Sequence, residues 1–119
     1  MTAQPTASGL TDAEFHAIGR SLFDRIEAQV DRWLQDDVID IDTHRTGGLL
    51  ELSFPDGSKI VLNTQPPLHE IWLAARAGGF HFRHLQGRWL DTRDGSDFVQ
   101  ALSAQVSAQG GRALQFDGI

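Results

Sequence analysis

At 119 residues with 40% hydrophobic content, the chain has apolar material for one buried core and too little for two. It contains no cysteine, which excludes disulfides, thiolate metal sites and an iron–sulfur cluster held by thiolates, and leaves any metal to oxygen or imidazole ligands. The net charge of −6 is segregated: nine acids meet three arginines through Asp42, whereas seven acids balance seven basic residues from Thr43 onward.

An acidic first third argues against nucleic acid, whose phosphates need Lys and Arg, and points to cations or to a basic protein surface. The opening stretch, residues 1–10, carries no basic charge and no signal-like apolar run, and reads as a disordered tail before a single domain of residues 11–119. No later stretch approaches the roughly 20 apolar residues of a membrane span, so a soluble, cytoplasmic protein is expected.

Thr11 starts a helix, because Thr-x-x-Glu over 11–14 reads as a capping box. Residues 11–35 then form one amphipathic helix with Phe15, Ile18, Leu22, Phe23, Ile26, Val30 and Trp33 on one side and Asp24, Glu27 and Asp31 on the far flank. Glu27 and Asp31 are a like-charge pair one turn apart, and acids near a helix C-terminus oppose its dipole; each costs a few tenths of a kcal/mol. From Val38 the pattern alternates, predicting a first strand over 38–42 with Ile39 and Ile41 facing in and Asp40 and Asp42 facing out.

A turn at 44–48 leads to strands over 49–54 and 59–63, joined by a turn at 55–58; further strands are expected over 68–76, 79–85 and 88–92. Ser96 caps a final helix of about 97–108, with Phe98, Val99, Leu102 and Val106 as its inner stripe, ended by Gly110 and Gly111 before a short tail. Short turns between successive strands demand an antiparallel sheet. The expected fold is α+β, a two-layer sandwich in which N- and C-terminal helices cover one face of about six strands.

Nucleophilic catalysis finds little support: no serine sits in a nucleophile elbow, and the glycine pairs match neither a phosphate loop nor a dinucleotide fingerprint. His81 and His84 are three apart on a strand and therefore point to opposite sides. His16 lies one helical turn from Asp12, where a carboxylate and an imidazole can share an ion or simply be solvated. The acids themselves suit hard or borderline cations bound weakly with several waters retained, or a solubilising surface; segregation and cost favour function. Trp72 shares strand parity with Glu70 and Arg76, opposite to Ile71 and Leu73, so it either packs on a neighbouring strand or awaits a partner.

Taken together, "DGSK" at 56–59, "IVLNTQPPLHEIWLA" at 60–74, "GGFHF" at 78–82, Trp89 and "DGSDF" at 94–98 resemble the frataxin family in its bacterial, CyaY-type form, from about Leu10 to Phe116. The resemblance implies the helix–sheet–helix sandwich and a role in iron–sulfur cluster assembly. It implies a non-enzymatic iron-binding regulator that docks on the cysteine desulfurase and its scaffold protein through an acidic ridge.

Weakly bound iron is the implied cargo, and the chain is implied to be a monomer with iron-dependent oligomers left open. Asp12, His16, Asp24, Glu27, Asp31, Asp36, Asp37, Asp40 and Asp42 are the metal candidates on that ridge. Glu27 and Asp31, with Asn63, Gln65 and Trp72 on the sheet patch, are the partner-binding candidates. The ridge departs from the family at Ala28, Arg32 and Leu34, which bears on iron stoichiometry more than on the protein contact. A ferroxidase or iron-storage protein using the same carboxylates is the alternative.

Overall fold

A computed structural model describes residues 9–119. Most of the expected tail, residues 1–8, lies outside the described residues; Leu10 is half-buried against the core.

Helix α1 spans Asp12–Gln35. Thr11 Oγ1 accepts from the Glu14 amide at 3.1 Å and Glu14 Oε1 accepts from the Thr11 amide at 2.8 Å, the reciprocal bonds of a capping box. Those bonds to Thr11 hold the Glu14 carboxyl below its ordinary pKa. The expected stripe is buried: Phe15, Leu22, Phe23, Ile26, Val30 and Trp33 enter the core, with Ile18 half-buried at its margin. The helix stops where Asp37 adopts a left-handed φ of +58° and the amides of Val38 and Ile39 both turn back to the Trp33 carbonyl.

The first strand is displaced from its expected place. Residues 38–41 belong to no strand, and β1 is Asp42–Thr46. Pairing decides this rather than alternation. The turn is only Gly47 and Gly48, which sets Thr46 opposite Leu49 and carries the register to Asp42 opposite Ser53, where β2 (Leu49–Ser53) ends. Gly47 supplies the positive φ of that turn, at +56°.

Strands β3 (Lys59–Gln65), β4 (Glu70–Ala75), β5 (Gly78–Leu85) and β6 (Arg88–Asp91) complete one antiparallel sheet in sequential order. Strand β4 is shorter than the expected 68–76, because Pro66–Leu68 forms a 3₁₀ turn and His69 takes a left-handed conformation. Arg76 falls in the next turn. It leaves the face it was assigned and its guanidinium meets Asp56 Oδ2 at 2.8 Å.

Helix α2 is Phe98–Gly110, capped by Asp97 and not by Ser96. Ser96 is occupied: its amide donates to Asp94 Oδ1 at 2.9 Å and its carbonyl accepts from the Asp91 amide at 2.8 Å. The extended backbone of Asp97 leaves its carboxylate to accept from the Gln100 amide at 3.2 Å. Phe98, Leu102 and Val106 are buried, and Val99 is half-buried.

Both helices cover the face carrying Leu50, Leu52, Ile60, Leu62, Ile71, Leu73 and Phe82, each of which is fully buried. The tail returns over α2, with the amides of Leu114 and Phe116 donating to Ser107 Oγ at 2.8 Å and Ser103 Oγ at 3.0 Å. Phe116 meets the Trp33 ring edge-on at 4.9 Å, and burial of such a side chain contributes about 1.5–3 kcal/mol.

Candidate functional site

The acidic residues from Asp24 to Asp42 run along the second half of α1, through the connection after it and onto the first residue of β1. Asp24, Asp31, Asp36, Asp37, Asp40 and Asp42 are all exposed, and Glu27 is half-buried. The run divides into two parts with different electrostatics. Arg45, on the sheet side that faces α1, donates from Nη1 to Asp24 Oδ1 at 2.6 Å and to Glu27 Oε1 at 2.7 Å. Its Nη2 reaches the Arg20 carbonyl at 3.3 Å, and its guanidinium lies 5.5 Å from the centre of the Phe23 ring. Burial opposes the Arg45 charge, but the hydrogen bonds and attraction from Asp24 and Glu27 outweigh it and raise its pKa above the ordinary value.

The second part has no such cation. Among the described residues no Lys, Arg or His lies within ion-pair distance of Asp31, Asp36, Asp37, Asp40 or Asp42. No three His, Asp or Glu groups among the described residues converge to form a metal cage. An ion here therefore meets one or two carboxylates and fills its remaining positions with water.

Asp12 is directed away from His16. Its Oδ1 lies 2.7 Å from His69 Nε2, a partner 57 residues away, and the His69 ring stacks on Phe15 at 4.9 Å. His16 stays exposed on the next turn.

On the opposite sheet face, Asn63, Trp72 and His81 stand in one cross-strand row, with Gln65, Glu70 and Arg83 in the next. The Trp72 ring stacks on His81 with centroids 4.1 Å apart and an interplanar angle of 4°. Its Nε1 donates to Glu70 Oε1 at 2.9 Å, while Glu70 Oε2 accepts from Arg83 Nη2. Gln65 Nε2 donates to Asn63 Oδ1 at 3.0 Å. Trp72 is thus packed on a neighbouring strand and still partly open to solvent. Glu70, given an outward position by parity, is only 5% exposed because three neighbours fold over it.

Sequence reasoning missed Arg45 and Glu70. The signal for Arg45 was present: counting parity back from Gly47–Gly48 places it beside Thr43 on the side facing α1. For Glu70 the signal was its register opposite Arg83, which pairing alone reveals. No helix among the described residues is long and apolar enough to cross a membrane.

A frataxin-like domain model matches residues 8–112. The iron–sulfur cluster assembly protein CyaY of Cupriavidus taiwanensis is 49% identical over 107 residues, covering 90% of this chain and 96% of that protein. Its counterpart in Shewanella sp. strain W3-18-1 is 43% identical over 90% of this chain and 98% of that one. Among solved structures, a frataxin from Psychromonas ingrahamii superposes with a TM-score of 0.81 at 32% identity, covering 91% of this chain and 99% of that chain. Trimeric yeast frataxin, solved in complex with ferrous iron, shares the fold with a TM-score of 0.67 at 23% identity over 92% of this chain and 94% of that one. With a family model spanning most of its length and close relatives matched nearly end to end, the chain belongs to the frataxin family.

Proposed function

We propose that this chain serves iron–sulfur cluster assembly as a non-enzymatic, iron-binding adaptor that docks on a cysteine desulfurase and its scaffold. The observation that carries this reading is the run of exposed carboxylates from Asp31 to Asp42, none of which is ion-paired to a cation among the described residues. Relatives 42–49% identical over nine-tenths of the chain are named for iron–sulfur cluster assembly, which supports the same process here. A desulfurase surface rich in Lys and Arg is the complementary partner, drawn in by long-range attraction. Iron is cargo at such a surface: single carboxylates hold it loosely enough to release it.

The second contact is the sheet face around Trp72, with Asn63 and Gln65 beside it. Trp72 offers a partly open aromatic surface held rigid by His81 and Glu70, which suits a protein partner such as the scaffold. The ferroxidase alternative has less support. It asks carboxylates to converge on iron, whereas Asp12 is bound to His69, and Asp24 and Glu27 are bound to Arg45.

The test uses purified desulfurase and scaffold at low and high salt. Asp31→Lys/Asp36→Lys/Asp40→Lys is the better ridge variant, since reversal at Glu27 also breaks the ion pair to Arg45. A loss of desulfurase affinity of about tenfold or more, shrinking as salt rises, is expected. Equal affinity for wild type and the triple variant overturns the docking reading. Oxygen consumption above the buffer blank in the presence of Fe²⁺, lost in the same variant, would favour the ferroxidase.

A further inference from the structure

The two edges of the sheet are finished differently. At the β6 edge the chain covers itself: Leu90 bridges Asp97, the Asp91 amide donates to the Ser96 carbonyl at 2.8 Å, and the Asp91 carbonyl accepts from the Gly95 amide at 2.9 Å. At the β1 edge no further strand or bridge follows among the described residues, and β1 pairs with β2 alone.

Register decides which backbone groups this leaves open. The Thr64 amide donates to the Gly48 carbonyl at 2.8 Å, a bond that flanks the Leu49–Asn63 pair, so those two residues exchange no bonds with each other. Leu49 therefore turns its own amide and carbonyl to Thr46, its partner across the two-residue turn. Alternation along β1 then aims the backbone groups of Thr46, His44 and Asp42 at β2 and those of Thr43 and Arg45 outward. Among the described residues no hydrogen bond reaches the outward amides and carbonyls of Thr43 and Arg45. An open row of this kind is a template for one more strand.

The side chains around the row select what can pair with it. Asp42 opens β1, and Asp36, Asp37 and Asp40 precede it, all exposed and without an ion-pair partner among the described residues. The cationic and imidazole groups of β1 are engaged: Arg45 holds Asp24 and Glu27, and His44 Nε2 lies 3.1 Å from Thr46 Oγ1. A second copy of the chain would set one acidic run beside another, and a short, charged edge resists self-pairing for that reason. A strand that brings Lys or Arg meets the opposite case, because unlike charges on neighbouring strands attract.

We infer that an extended basic segment of the partner joins the sheet as a seventh strand on β1, its main chain bonded to Thr43 and Arg45 and a Lys or Arg side chain beside Asp42. The inference rests on the docking reading for the partner's charge and adds the mode of contact. Charge attraction brings the segment in, and main-chain bonds, which salt does not screen, hold it.

The experiment is residue-resolved amide hydrogen exchange of the full chain, free and bound to purified cysteine desulfurase. Exchange at Thr43 and Arg45 should slow by about tenfold or more on binding, with a smaller change at His44, whose amide already faces β2. Thr43→Pro removes one outward donor without a change of charge, at the kind of edge position that tolerates proline. Its affinity for the desulfurase should fall by about two- to tenfold, and the loss should persist at high salt, unlike that of Asp31→Lys/Asp36→Lys/Asp40→Lys. The exchange measurement uses the wild-type chain and stands even where Thr43→Pro does not fold. Binding that leaves exchange at Thr43 and Arg45 unchanged, or undiminished affinity in a folded Thr43→Pro, overturns the added strand and leaves the ridge contact standing; absence of binding overturns both. Protection of the same two amides in the free chain that grows with protein concentration would identify a second copy as the occupant and overturn the basic segment.

Discussion

Replacing Arg45 with Gln removes the cation that compensates Asp24 and Glu27 and keeps most of the side-chain volume. The magnitude can be built from its contacts. The bond to Asp24 joins a carboxylate that is 70% exposed and contributes a few tenths of a kcal/mol after solvent screening. The bond to Glu27 joins groups that are 22% and 29% exposed and contributes about 1 kcal/mol, and the Phe23 contact adds about 0.5 kcal/mol. The sum is about 1–2 kcal/mol, or a fall of about 4–8 °C in Tm for a domain of this size.

The assay is thermal unfolding by circular dichroism at low salt, at 1 M NaCl and with a divalent cation. At about 1 M salt the Debye length is about 3 Å, so the repulsion freed by the substitution is screened and the gap to wild type narrows. Asp24 and Glu27, released from Arg45, become available to the cation. A new site with Kd about 1 mM gives about 1.4 kcal/mol at about 10 mM metal, so the variant should gain more from Mg²⁺ or Fe²⁺ than wild type does. Equal Tm at low salt, or equal response to the divalent ion, would refute the claim that Arg45 occupies half of the ridge.

Three further outcomes follow from local geometry. Hydrogen bonds from Ser58 and the Arg76 guanidinium lower the Asp56 pKa to about 2; a group depressed in the folded state gives stability that is present above its unfolded value and lost as pH falls toward that lower one. Carboxyl-carbon NMR should show its midpoint there, and an ordinary aspartate midpoint would contradict it. Gly48→Ala should destabilise by about 1–3 kcal/mol in urea unfolding because its Cβ meets Thr64 Oγ1 at 2.2 Å, while Gly19→Ala, whose Cβ meets Thr64 Cγ2 at 3.5 Å, should gain from helix propensity; the reverse order would discredit the close approach of turn and β3. Glu70→Leu should cost about 2 kcal/mol by leaving Arg83, 16% exposed, without its carboxylate, and an unchanged unfolding midpoint would mean that Arg83 is solvated instead.

The helices were readable in the sequence because their determinants are local. Thr11 and Glu14 sit three apart, and the stripe from Phe15 to Trp33 repeats at helical spacing, so no distant partner is needed to find α1. Parity gave the inward set on β4, Ile71 and Leu73, for the same reason. What failed depended on pairing. Residues 38–42 alternate like a strand, yet the glycine turn fixes a register that leaves most of them unpaired.

Ser96 and Asp97 are equally good caps by type, and the Asx turn at Asp94 chooses between them. The site was legible as a charge distribution and not as a set of contacts. Sequence spacing set Asp12 beside His16, one turn away, and gave no sign of His69, which is 57 residues distant in sequence. The compensated and uncompensated halves of the ridge became distinct only with Arg45 in place.

On the proposed two-contact reading, that division lets two partners be served at once. Thr46, Leu49, Asn63 and Trp72 stand opposite one another on successive strands, so three rungs of the ladder separate β1 at the ridge from Trp72. At about 4.8 Å per rung the two surfaces are roughly 15 Å apart across the sheet. Sites this far apart without shared partners act additively. Asp31→Lys and Trp72→Ala should therefore multiply their fold losses in affinity for an assembled desulfurase–scaffold complex, while each alone weakens only one isolated component. A double variant no weaker than the worse single one would mean that a single partner element spans both surfaces, and the two-contact arrangement would have to be abandoned.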